Sequence, residues 1–321
     1  MRLSLLDRSR TRAGRPDAEG LTGTIQRARH AESVGFERFW VAEHHAVPGI
    51  ASGSPPVLLA ALGARTSTIR IGSGGVMLPH HQPFVVAEQF RVLEALFPGR
   101  VDLGLGRSLG FTAPVRRALR HGAEEPDTFE ADLTELREYL EGAAAVTVRP
   151  VTPATPMHLL ATGRGLQVAA RLGLPVVVGG PILDDPEVGE RLAGYRRDFR
   201  PHRGSTASVT VSLDVTVADD DASAVELALP EAWAMARSRQ TGKFPPLEAP
   251  EAIRAHPWPD QVRRRVDSAL DRAVAGDPAT VRRALERLVE RTGADELMAS
   301  TSTYDREALL ASDAALRAIV S

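Results

Sequence analysis

The chain has 321 residues, 39 basic and 41 acidic side chains, and no cysteine. Balanced charge, with no basic stripe interleaved with aromatics, argues against a nucleic-acid partner. The missing thiol removes disulfides, thiolate metal sites and a cysteine nucleophile. No apolar stretch approaches the roughly 18 residues of a membrane span, and the N-terminal apolar run is too short for a signal peptide, so the expectation is a cytoplasmic protein with no membrane partner.

Short apolar strands alternate with helical patterns along the chain. Residues 3–6 form a first strand. Leu21, Ile25, Ala28 and Val34 then follow near-helical spacing up to a stop at Gly35. A second strand over 38–42 leads into a helix over 56–65, and a third strand covers 69–72. Val86, Phe90, Leu93 and Phe97 mark one face of a helix that Pro98-Gly99 ends. Strands follow over 101–105, 157–161 and 175–178, with a short helix over 167–172. Asp185-Pro186 and Asp277-Pro278 each pair an N-cap with a proline at the first helical position. Val188, Leu192, Tyr195 and Phe199 follow the first, and Val281, Leu285 and Leu288 the second, up to Gly293. Residues 208–217 and 296–300 are strands, and 306–319 is the last helix. About eight βα units imply parallel strands with right-handed crossovers, and in this length a closed (β/α)8 TIM barrel in one domain over 1–321. Residues 230–275 fit no unit. Lys243-Phe244-Pro245-Pro246 and His256-Pro257-Trp258-Pro259 forbid one continuous helix there. The stretch reads as an excursion from a barrel loop, either a lid or a surface embellishment or interface element.

Barrel chemistry sits at the carboxyl ends of the strands. After the second strand come Glu43, His44 and His45; after the third, Gly74-Gly75; after the fourth, Gly106-Arg107; after the fifth, Thr162-Gly163-Arg164-Gly165. Ionisable groups leaving an apolar strand point to a site, although Glu43 and His45 can equally be satisfied polar residues capping the next turn. Glycines let a flat ligand or phosphate approach the backbone. Arg107 beside loop N–H groups favours an anion. The 162–165 turn opens a helix, whose N-terminus could hold a phosphate. The glycines over 104–110 do not match a dinucleotide fingerprint in spacing or position. The pairs His44-His45 and His80-His81 do not chelate by themselves, since adjacent strand residues point to opposite faces, and no metal site is expected.

Several of these segments in order resemble the bacterial luciferase-like flavin monooxygenases: Trp40-Val41-Ala42-Glu43-His44-His45, the run 68–79 through Gly74-Gly75 to Pro79, Ala87-Glu88-Gln89-Phe90, the run from Pro98-Gly99 to Gly106-Arg107, and Gly293-Ala294-Asp295-Glu296-Leu297-Met298. The match covers nearly the whole chain. It is nearest the branch that includes the mensacarcin-pathway oxygenase, a tailoring enzyme of aromatic polyketides. The resemblance implies a barrel using reduced FMN from a separate flavin reductase, and O2, through a flavin C4a-hydroperoxide, to oxygenate an organic substrate. It implies His44 as catalytic histidine and Glu43 as a flavin-pocket residue. It places Gly74-Gly75 at a cis peptide under the ring, Gly106 near the reactive carbon, and Arg107 at the phosphate with Thr162, Gly163 and Arg164. It also implies a homodimer, through helices flanking the second and third strands, where Leu58-Leu59-Ala60-Ala61-Leu62 is a candidate seam. Three departures stand out, one of them the loop Ser108-Leu109-Gly110-Phe111. The 162–165 loop is one residue short, with Arg164 in place of a hydroxyl donor, and Gly179-Gly180-Pro181 replaces larger residues. A deazaflavin (F420)-dependent oxidoreductase and a non-catalytic luciferase-like partner protein are the alternatives within the same superfamily.

Overall fold

A computed structural model describes residues 1–109, 112–120 and 127–320. The first half alternates as expected: β1 (Arg2–Asp7), α1 (Ala18–Val34), β2 (Arg38–Val41), α2 (Pro55–Gly63), β3 (Arg70–Met77), α3 (Pro83–Leu96), β4 (Val101–Gly106). Gly35 ends α1 at φ 91°, a left-handed backbone that a Cβ would disfavour. After α4 (Ala113–Ala118) comes α5 (Phe129–Glu141). Phe129, Leu133, Leu136 and Leu140 are buried on one face of α5, a helix the sequence reading does not contain. Then follow β5 (Met157–Leu160), α6 (Arg164–Leu172), β6 (Val176–Gly179) and α7 (Val188–Asp198). Asp185 does not cap α7 directly; its carboxylate accepts from the Glu187 N–H, 2.9 Å away, and forms the turn before the helix.

The remaining elements are β7 (Val209–Leu213), β8 (Val215–Val217), α8 (Asp221–Thr241), α9 (Pro250–Ala255), α10 (Asp260–Leu270), β9 (Val274–Gly276), α11 (Pro278–Thr292), β10 (Glu296–Ala299) and α12 (Arg306–Ile319). The expected cap on α11 is present: Asp277 accepts from the Thr280 N–H at 2.6 Å. The strands close in the order β1-β10-β7-β6-β5-β4-β3-β2, all pairs parallel. No helix among the described residues is long and apolar enough to cross a membrane.

Three local expectations change. The third strand does not stop at Gly72 but runs to Met77, with a register shift against β4 between Ser73 and Val76. The strand expected over 208–217 divides at Asp214: β7 joins the barrel, and β8 pairs with β9 outside it. The excursion does not begin at Pro230, which lies inside α8. A proline lacks the N–H of an interior helix bond, yet the helix continues past it, with Ala224, Ala228, Ala232, Trp233 and Ala236 all buried. Beyond α8 the chain packs a small second core of Leu229, Trp233, Ile253, Val262 and Val266, with Trp233 against His256 and Trp258 at 5.3 and 5.2 Å between ring centroids.

The barrel interior is filled by Trp40, Val177 and Met298, with Leu6 and Leu160 above them. Glycines make room for the indole. A Cβ on Gly72 would lie 2.4 Å from Trp40 Nε1, and one on Gly104 2.8 Å from Trp40 Cζ3 and 2.1 Å from the Ser73 carbonyl. Below Trp40 the amino end of the barrel is closed by buried charges that are paired, as burial demands. Asp102 takes Arg70 and the Trp40 Nε1–H (3.3 Å), and Glu296 takes Arg38 (3.4 Å) and the Ser4 hydroxyl. Burial above all, with Arg38 and Arg70 nearby, lowers the His158 pKa to about 4 despite Asp102.

Candidate active site

The carboxyl ends of the strands open into a cavity of about 1100 Å³. Its floor is apolar, formed by Leu6, Leu160 and Val177, and α8 lies across it with Ala228, Glu231, Ala232 and Met235. His44, Gly74 and Thr162 line this cavity together. The Gly74–Gly75 peptide is cis. Gly75 itself turns toward β4, where an added Cβ would lie 2.9 Å from the Gly104 carbonyl.

Glu43 lies behind the cavity wall and not on it. Its buried carboxylate accepts from three groups: His45 Nε2 at 2.6 Å, His81 Nε2 at 2.7 Å and the Met77 N–H at 2.9 Å. Burial opposes the charge, but the hydrogen bonds from His45 and His81 outweigh it and hold the pKa down at about 2. The end of β2 is thereby tied to the end of β3. Glu43 and His45 are satisfied polar residues here, but through each other, His81 and Met77 and not as caps of the next turn. The ligand atoms of Glu43, His45 and His81 lie within 4.8 Å of one another, compact enough for a metal ion. Both ring nitrogens are bonded to the same carboxylate oxygen, which makes the group a hydrogen-bonded anchor.

His44, between these anchors, is half-buried, and its backbone N–H donates to the Ser52 carbonyl at 3.0 Å. Burial first, then the charges of Arg8 and Arg10, push its pKa down to about 4. The imidazole is therefore neutral at physiological pH and able to accept a proton.

The remaining expected residues stand at the rim. Gly106 ends β4, with only the Val76 carbonyl within 4 Å of an added Cβ. Arg107 is exposed and ion-paired with Asp127. Gly163 adopts φ 50° at the start of α6, and Arg164 is its first helical residue. None of these four reaches the cavity wall.

Charged residues beyond the strand-end candidates also line the cavity, among them Arg8, Asp214 and Glu231, and Arg10 is bonded to Glu231. Arg8 donates to Glu231 Oε1 at 2.6 Å and to Asp214 Oδ1 at 2.8 Å. Arg10 donates to Glu231 Oε2 at 2.9 Å and lies 4.5 Å from the centre of the Phe244 ring. Burial disfavours the Glu231 charge, but Arg10 and Arg8 outweigh it and lower its pKa. The first strand's exit, Asp7-Arg8-Ser9-Arg10, carried a signal of the kind read at the other strand ends. Glu231 carried none.

The family model for luciferase-like monooxygenases matches residues 1–296. A luciferase-like monooxygenase of Escherichia coli K12 is 36% identical over 316 residues, covering 96% of this chain and 93% of that protein. The crystal structure of apo-MsnO8, the mensacarcin oxygenase, superposes with a TM-score of 0.88 at 33% identity, covering 99% of this chain and 98% of that one. The oxygenating constituent of 3,6-diketocamphane monooxygenase from Pseudomonas putida, solved with FMN, superposes at 0.76 and 19% identity, covering 99% and 96%, a likeness of fold.

Proposed function

The chain belongs to the luciferase-like monooxygenase family, and on that premise we propose that it oxygenates a small organic substrate with O2 and reduced FMN delivered by a separate flavin reductase. The observation that carries this reading is the meeting of His44, the cis Gly74–Gly75 peptide and Thr162 around one roofed apolar cavity at the barrel mouth. The residues present fit a flavin. Leu6, Leu160 and Val177 offer an apolar floor to a flat ring. Gly163 and Gly180 at the rim have no atom within 4 Å of an added Cβ, which leaves bare backbone for a phosphate or ribityl chain. The relative from Pseudomonas putida binds FMN on the same fold.

Reduced FMN, when bound, supplies the electrons that activate oxygen. The chain's own residues do the rest. His44 accepts or returns a proton at its neutral imidazole. Glu43 fixes the backbone on both sides of it through His45, His81 and Met77. The α6 N-terminus and Thr162 favour the phosphate, with Arg107 exchanging Asp127 for it. Helix α8 keeps bulk water out. The likeness to MsnO8 makes an aromatic polyketide the first substrate class to try. We assign a homodimer to the α2–α3 face. There Leu58, Leu59 and Leu62 are buried within the subunit, and Val57, Val85, Val92 and Leu96 are the apolar residues left outside.

The test is an anaerobic titration with reduced FMN and, separately, reduced deazaflavin, followed by oxygen electrode measurements. Tight binding of reduced FMN and oxygen uptake that yields oxygenated product support the reading. Binding of deazaflavin alone, without oxygen uptake, overturns it.

A further inference from the structure

Helix α8 meets the barrel through a buried carboxylate. Glu231 sits on the cavity wall between Ala228 and Ala232, a position where an apolar side chain would continue the face. Its two oxygens are divided between Arg8 and Arg10. Arg10 also donates to the Gly49 carbonyl at 2.5 Å and the Pro245 carbonyl at 3.2 Å. Gly49 lies in the loop that follows His44-His45, and Pro245 in the chain that leaves α8. A Cβ on Gly49 would lie 2.1 Å from the Pro245 carbonyl, so the two segments are in direct contact. One carboxylate on the roof therefore ties together the end of β1, the histidine loop and the far end of α8.

This cluster also surrounds His44 with charge. Arg8, His44, His45, Asp214 and Glu231 line the same cavity, and Arg10 holds the loop after His44-His45 through the Gly49 carbonyl. Asp214 also pairs with Arg8, but Glu231 is the carboxylate bonded to both arginines, and Arg10 without it would be a costly buried charge. We propose that Glu231 is a positioning residue of the His44 site: the roof carries the carboxylate shared by Arg8 and Arg10 beside the histidine loop, so that seating α8 and setting the charge around His44 are one event. The inference rests on reading His44 as the group that handles the proton, but its test requires no flavin and no turnover.

The imidazole is titrated directly by NMR on the ligand-free full chain with labelled histidine, and the His44 signal is assigned by its loss in His44→Ala. Arg8→Gln removes a nearby positive charge and raises the His44 midpoint by about one pH unit. Glu231→Gln removes the compensating negative charge, so His44 stays neutral to the lowest pH at which the fold survives. In the double variant the two effects oppose, and the midpoint returns below that of Arg8→Gln alone. Seating is read in the same samples by trypsin cleavage after Arg239 or Lys243, at the end of α8. Glu231→Gln speeds cleavage at least about threefold. Glu231→Asp, which keeps the charge on a shorter arm, speeds cleavage but holds the midpoint near wild type, and serves if the glutamine variant does not fold. Unchanged midpoints in Arg8→Gln, a raised midpoint in Glu231→Gln, or wild-type cleavage in both Glu231 variants overturns the proposal. If the shifts occur but the protein neither slows the reoxidation of reduced FMN nor forms oxygenated product, the functional reading fails and this inference stands.

Discussion

Replacing Glu43 by glutamine isolates what the anchor behind His44 contributes. The carboxyl is held at about 2 against an ordinary value of 4.5, a difference equivalent to about 3 kcal/mol of folded-state stabilisation of the charged form. Because the folded pKa is depressed, this contribution is fully present above about pH 4.5 and disappears as the pH falls through about 2. A glutamine has one acceptor and one donor end where the carboxylate had two acceptors. Whichever way it turns, its NH2 faces either the Met77 N–H or the two imidazoles. Urea unfolding of wild type and Glu43→Gln at pH 7, 5, 4 and 3 measures the difference. The account predicts a gap of about 3 kcal/mol at pH 7, a substantial part of the usual 5–15 kcal/mol, narrowing below about pH 4.5. A gap under about 1 kcal/mol at pH 7, or one that is the same at pH 3, refutes the reasoning.

Gly104→Ala forces a Cβ to within 2.1 Å of the Ser73 carbonyl and 2.8 Å of Trp40, so a loss of about 1–3 kcal/mol is expected; an unaltered thermal midpoint would show that β3 and β4 yield freely. His44→Ala is expected to abolish oxygenated product while the circular dichroism spectrum and thermal midpoint stay near wild type, and product formation at the wild-type rate would remove His44 from the mechanism. Arg107→Ala should weaken reduced-FMN binding by about 1.5–3 kcal/mol if the guanidinium moves from Asp127 to the phosphate; unchanged affinity in an anaerobic titration places the phosphate elsewhere.

The barrel was legible because its signals are local. Apolar runs such as Val101–Gly106, a glycine stop at Gly35 and a capped start at Asp277 each lie within a few residues of one another. The Phe129, Leu133, Leu136 and Leu140 face of α5 was equally local and could have been read. β3 was cut short because Gly74-Gly75 has the composition of a turn, although the chain there stays in the barrel wall. The sequence signal breaks α8 at Pro230 because that penalty is local, whereas the burial that overrides it comes from packing against β8, β9 and α10. At the site, the strand-end rule found His44, Gly74 and Thr162 on the cavity. It could not find Glu231, whose partners Arg8 and Arg10 are 223 and 221 residues away in sequence. Nor could it distinguish Glu43, turned inward onto His81, from a residue facing the ligand.

The central claim is that this cavity holds reduced flavin and protects what forms when oxygen arrives. Rapid mixing tests it most directly: the protein, loaded anaerobically with reduced FMN, is mixed with aerated buffer, and the absorbance of oxidised flavin is followed. The account predicts that this absorbance returns many times more slowly than it does for free reduced FMN. It also predicts that His44→Ala alters the rate and Arg107→Ala lowers the fraction protected. Reoxidation of the wild-type mixture at the rate of free flavin would contradict it.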